Sequence, residues 1–127
     1  MIDIENEVVT RIKEAISDRA DVTSVYVNKP SSFPHISVTM SDNYMSHLDN
    51  SDIEKYSSCM FEINVYANDK IAKLTAKGLM QTIDAVMYKM NMRRLSCVPT
   101  PNLEDATIYR ITARYDCDTD GTRIYRR

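Results

Sequence analysis

From Ser57 to Ala67 apolar and polar side chains alternate. Cys59, Phe61, Ile63 and Val65 share one side of an extended backbone; Ser58, Glu62 and Asn64 share the other. At Asn68-Asp69 the period changes, and a helix is expected from Lys70 to Asn91. Asn68 or Asp69 can accept the first free helical N–H groups. The buried stripe of this helix is read as Ile71, Leu74, Gly78, Leu79, Thr82, Ile83, Val86 and Met90. A mid-helix glycine costs ~1 kcal/mol, so close approach of Gly78 to a sheet is the expected reason for it. Met80, Met87, Met90 and Met92 are expected to fill gaps in the core. A strand wetted on one face, feeding a helix that covers the other, predicts a two-layer α+β domain.

The rest of the chain extends this pattern. Ile4, Val8, Ile12, Ala15 and Ile16 stand at helical spacing over residues 3–17. Val22 to Asn28 reads as a strand with Val25 and Val27 on one face, followed by a stiff connection bounded by Pro30 and Pro34. Ile36, Val38 and Met40 alternate in a second strand. Leu95, Cys97 and Val98 make a short one, stopped by Pro99 and Pro101. Thr107 to Cys117 is the last long strand, with Tyr109, Ile111, Ala113, Tyr115 and Cys117 facing one way. The prediction is one domain, residues 1–127, ordered α-β-β-β-α-β-β. Its mainly antiparallel sheet has four or five strands, and helices 3–17 and 70–91 cover a single face. The predicted core is Ile4, Val8, Ile12, Val25, Val27, Ile36, Val38, Phe61, Ile63, Val65, Ile71, Leu74, Ile83, Val86, Ile111 and Ala113.

Between residues 41 and 56 the alternation stops. The segment is longer than a hairpin needs, and loops of that length usually serve a function. Tyr44, Met45, Leu48, Ile53 and Tyr56 are too apolar for a plain linker, so an extended loop or β-arm that meets a partner is expected.

Composition narrows the classes. With 43% apolar and 27% charged residues and a net charge of −2, this is the make-up of a soluble globule with no bias toward duplex nucleic acid. No apolar run approaches ~18 residues, and the first residues lack the basic start of a signal peptide, so no membrane association is expected. Charge is unevenly spread. Asp42, Asp49, Asp52, Glu54 and Glu62 oppose Lys55 alone across 41–62, whereas 93–127 holds seven arginines, no lysine and five acids. An acidic surface and an Arg-rich one suit head-to-tail pairing of copies. Cys59, Cys97 and Cys117 are expected as buried free thiols in a reducing compartment.

Few residues suggest chemistry. Asp116-Cys117-Asp118-Thr119-Asp120-Gly121 has the D-x-D-x-D-G pattern of a calcium loop. Arg127 stands where that loop requires a bidentate glutamate, and a strand precedes it, so a strand-ending turn is expected. His35 and His47 form no ligand pair with the scattered thiols. The only glycines, Gly78 and Gly121, make no phosphate loop. Neither enzymatic activity nor any cofactor or metal is expected.

The arrangement resembles the tail terminator (tail completion) proteins of tailed bacteriophages and related phage-tail-like particles. The residues that carry the likeness are Val25-Tyr26-Val27 before Pro30, then Phe33-Pro34-His35-Ile36-Ser37-Val38. Phe61 to Ala67 leading into a long helix, Asp105 to Ile111, and Gly121-Thr122-Arg123-Ile124-Tyr125 add to it. The resemblance implies a structural protein of a virion tail or tail-like particle, assembled in the bacterial cytoplasm. It implies a homo-oligomeric ring, usually hexameric, on the head-proximal end of the tail tube. Its partners would be the tube protein and a head connector, sheath or cap protein; DNA could pass the lumen without sequence-specific recognition. The residues themselves point to an interface of Tyr44, Met45, Leu48 and Ile53 rimmed by Asp42, Asp49, Asp52 and Glu54. It is expected to meet Arg123, Tyr125, Arg126 and Arg127 of a neighbour. The alternative from another class is a non-enzymatic adaptor that binds one protein through 41–56.

Overall fold

A computed structural model describes residues 2–27, 29–48, 54–102 and 105–125, and all side chains among them except those of 46–48, 54, 55 and 125. In chain order the elements are α1 (Glu5–Ile16), β1 (Asp21–Thr23), β2 (His35–Leu48), β3 (Glu54–Ala67), α2 (Ala72–Lys89), β4 (Arg93–Pro99), β5 (Tyr109–Thr119) and β6 (Ile124–Tyr125). The sheet runs β1-β2-β3-β5-β4, with the short β6 also on β5. Only β1–β2 is parallel; the other pairs are antiparallel. α1 packs on β1 and β2, α2 packs on β3, β5 and β4, and the helices touch each other. Both therefore cover one face, and the fold is the expected two-layer α+β, lengthened by β6.

Period-two patterning explains the core. Across the sheet Val38 faces Ile63 and Ala113, Ile36 faces Val65 and Ile111, and Met40 faces Phe61 and Tyr115. Val8, Ile12 and Ile16 of α1 and Ile83 and Met87 of α2 lie fully buried above them. Each such side chain contributes roughly 1.5–3 kcal/mol by leaving water. Met80, Met90 and Met92 are buried too, as expected of gap-fillers.

Three core expectations fail. Ile71 and Leu74 are 59% and 68% exposed, and Val25 is exposed as well; Val27 and Val86 are only half-buried. α2 carries two apolar stripes, and the sheet takes the one formed by Ala76, Leu79, Met80, Ile83 and Met87. Gly78 belongs to the other stripe, and a Cβ added there would meet nothing within 4 Å. Close approach to the sheet is therefore not its reason. Val25 turns outward because β1 ends at Thr23, after which the Val25 carbonyl accepts the Ser37 hydroxyl at 2.8 Å. The expected cap of α2 also differs. The Asp69 carboxylate accepts the Thr75 hydroxyl at 3.0 Å, and the helix starts at Ala72. At its other end Asn91 adopts φ 63°, and the Met92 N–H reaches the Met87 carbonyl at 2.9 Å, a left-handed closure that asparagine tolerates.

Candidate functional site

β2 and β3 pair from His35↔Tyr66 out to Leu48↔Glu54. β1 flanks β2 only at His35–Ser37, and β5 flanks β3 only from Ser57 to Ala67. Beyond these limits the hairpin has no other strand beside it among the described residues. From His47 and Tyr56 outward the hairpin is thus a β-arm, and Asp42 to Met45 lie at its base, opposite Met60 to Ser57. Alternation stops in its sequence because the ladder shifts register between Met40 and Asp42 and again on both sides of His47. Each extra residue reverses which side chains face the helices. Before Ser41 the even-numbered positions of β2 face the helix side; after it the odd-numbered ones do.

The root of the arm is fastened to α1 and to the residues just before it. The Met40 N–H donates to the Glu5 carboxylate at 3.0 Å, and the Asn43 amide donates to the Ile2 carbonyl at 2.6 Å. Farther out, Tyr44 and Met45 are 42% and 54% exposed, and Asp42 is exposed beside them. Leu48, Glu54 and Tyr125 lie in strands, whereas Asp49, Asp52, Ile53, Arg126 and Arg127 lie outside the described residues. Arg123 is exposed in the turn between β5 and β6. Ser57 and Ser58 at the arm's base pair with Thr119 and Asp118, and β6 pairs with the same two residues from the other side. Arg123 and the arm therefore share one end of the sheet.

The calcium-like pattern runs from the end of β5 into a turn at Asp120-Gly121, and its carboxylates are committed elsewhere. Asp116, almost fully buried, receives two hydrogen bonds from Arg93 at 3.0 and 2.9 Å. Asp118 accepts from the Ser58 hydroxyl at 2.6 Å. Asp120 accepts the backbone N–H groups of Thr122 and Arg123 at 2.8 and 2.7 Å, with the Arg123 contact first in holding its carboxyl below the usual range. Gly121 takes φ +92°, which suits glycine. Cys59 and Cys117 are buried opposite one another, and the Cys117 thiol is pushed up by its hydrogen bond to Cys59 and by burial. Cys97, expected to be buried, is exposed because β4 is the sheet edge.

The sheet face opposite the helices holds a polar cluster that the alternation did not reveal. Asn64, expected on a wetted surface, is fully buried there. Its carbonyl oxygen accepts from Arg110 Nε at 2.9 Å and from the Thr112 hydroxyl at 2.6 Å. The Arg110 guanidinium lies 5.4 Å from the Tyr26 ring centre and 5.6 Å from that of Tyr66. Burial pushes the Tyr66 hydroxyl up to about 12 against the pull of Arg110. Burial likewise lowers His35, with Asp21 opposing. The only signal in the sequence was Asn64 and Tyr66 at alternate positions of one strand and Arg110 and Thr112 at alternate positions of another, which any solvated strand also carries. Neighbouring side chains enclose these groups, and the Asn64 amide nitrogen and the Tyr66 hydroxyl are buried without a hydrogen-bond partner among the described residues.

No helix among the described residues is long and apolar enough to cross a membrane. No protein-family model matches the chain, and no curated protein matches it.

Proposed function

We propose that this chain is a structural protein whose β2–β3 arm joins copies of itself into a ring on the head-proximal end of a tail tube. The ring stops tube polymerisation and offers a joining surface to a head connector or cap. The observation that carries this reading is the arm: a long hairpin with Tyr44 and Met45 exposed near its base and acids along it. Exposed apolar side chains inside a charged rim are the usual make-up of a contact patch. The mechanism is geometric. A ring whose lower face fits the growing end of the tube, and whose upper face does not, prevents the next subunit layer from adding. Rim ion pairs contribute only ~0–1 kcal/mol each, so the apolar anchors carry the contact and the charges set its register.

Electron microscopy and mass in solution test this reading, with the tube protein added afterwards. The expected result is a closed ring that halts tube growth at low molar ratio, and a monomer that does not halt growth for Tyr44→Ser/Met45→Ser. A wild-type monomer that binds one other protein through the arm favours the adaptor reading. An arm variant that forms rings and halts growth like wild type overturns the proposal.

A further inference from the structure

β4 is the last strand of the sheet, and among the described residues only β5 pairs with it. The Thr100 N–H donates to the Arg110 carbonyl at 2.9 Å, toward β5. Backbone direction alternates along a strand, so Ser96 and Val98 also turn toward β5, while Cys97 and Pro99 turn toward the open edge. That edge offers the N–H and carbonyl of Cys97 and the carbonyl of Pro99. Pro99 has no N–H to leave unpaired there, as suits an edge strand. Beside the edge, on the helix side, α2 does not close over the sheet. A cavity of about 290 Å³ remains between them. Met80 and Ile111 are its buried lining, Tyr109 is half-buried, and Cys97 and Pro99 line its exposed side. It has room for about ten waters at their liquid volume, and so for one large apolar side chain. Its charge is unbalanced. Asp84 accepts the Tyr115 hydroxyl at 2.8 Å and Arg94 at 3.2 Å, so both its oxygens are engaged. Lys77 also lines the cavity, is exposed, and forms no ion pair among the described residues. It lies two turns, about 10 Å, nearer the start of α2 than Asp84, so Lys77 and Arg94 stand at opposite ends of the cavity.

We propose that this edge and cavity together receive an extended segment of another protein, in which an apolar residue has an acid two positions away on each side. The β2–β3 arm plays no part in this contact, which goes beyond ring formation. The segment adds antiparallel to β4. It exchanges both backbone hydrogen bonds with Cys97 and donates a third to the Pro99 carbonyl. The residue opposite Cys97 shares its side of the sheet, so its side chain enters the cavity beside Met80 and Ile111. Its second neighbours share that side as well, one toward Lys77 and the other toward Arg94. With Asp84 already engaged, acids at both places meet a cation that still has donors to give. A free organic anion would fill the cavity and leave the open edge of Cys97 unused. An extended chain uses both, the ladder giving affinity and the cavity with its two cations giving choice of sequence.

The test titrates an array of capped heptapeptides into the full-length, isotope-labelled protein. On a threonine background the central residue is leucine, phenylalanine or alanine, and its second neighbours are glutamate, threonine or lysine. Central leucine or phenylalanine between glutamates should bind tightest, at least tenfold better than between lysines or with central alanine. The Cys97 amide, turned to the open edge, should exchange quickly with deuterated water in the free chain. Bound peptide should slow that exchange at least tenfold. Lys77→Glu changes an exposed side chain and should keep the wild-type thermal midpoint. It should weaken the glutamate peptides at least tenfold and move the preference toward lysine at one of the two flanking positions. Absence of binding by every member of the array at millimolar concentration overturns the proposal. So does binding that leaves Cys97 exchange unchanged, because the ladder is then not used. A Cys97 amide already protected without peptide, more so as protein concentration rises, gives the edge to a second copy and overturns the proposed partner.

Discussion

The two halves of the β2–β3 hairpin share one hydrogen-bond ladder and have opposite fates. At the root, Ile36, Val38, Phe61, Ile63 and Val65 are fully buried, with helices above them and β1 and β5 beside them. Past Asn43, Tyr44 and Met45 of β2 are 42% and 54% exposed, opposite Ser58 and Ser57 of β3. Backbone pairing therefore does not decide burial; the third element does. A strand that keeps its ladder while losing its cover presents core-like side chains to whatever arrives next. Ile71 and Leu74 of α2 are the helical counterpart, apolar side chains left exposed after the sheet took the other face.

The largest break in this comparison should come from the root. Phe61→Ala should lower stability by about 3–5 kcal/mol in a denaturant titration, through lost transfer energy and the cavity left behind. Removing the cation beside Asp116 should cost less. Arg93→Leu leaves a nearly buried carboxylate without its two charged donors, and a loss of about 1–3 kcal/mol is expected, smaller if water reaches past the half-exposed Arg93. Gly78→Ala should act in the other direction. The outward face has room for the methyl group, so the chain should gain up to ~1 kcal/mol in its thermal unfolding.

His35 supplies a weaker effect of defined sign. Its folded-state pKa lies below the ordinary 6.5, so below that value the unfolded chain binds more protons. Stability should fall as the medium is acidified from about pH 7 to about pH 5. His35→Gln should remove part of that fall when the two chains are melted in parallel. The smallest effect belongs to the arm. Met45→Ser should change unfolding free energy by no more than about 0.5 kcal/mol, while the assembled fraction drops. If Met45→Ser instead unfolds the chain as Phe61→Ala does, the arm is a core element and the contrast between the two halves disappears.

Strong local period made much of the fold legible. The alternation of Cys59, Phe61, Ile63 and Val65 with polar neighbours before a change to helical spacing located β3 and α2, and the Tyr109–Cys117 alternation located β5. The 41–56 segment was legible as an extended loop or β-arm, apolar and acidic, but the choice between the two and the strand register were not, because register shifts scramble the period on which such a reading rests. α2 misled in another way. Two apolar stripes have the same helical period, and nothing in Ile71, Leu74 or Gly78 says which one the sheet will take.

The order of residues alone determines local properties: the periods, the proline and glycine punctuation, the charge imbalance between 41–62 and 93–127, and hence an α+β domain with an unusual arm. Those properties depend on side-chain spacing over a turn or a few strand residues, so the chain carries them wherever it folds. Folding in three dimensions chose which face of α2 is buried and set Arg93 against Asp116. It covered Asn64 on a face that alternation marks as wet, and put the arm and the first turns of α2 at opposite ends of the sheet. Each of these depends on which distant segment arrives as the neighbour. Spacing along one element cannot encode that, because burial and pairing belong to both partners in a contact.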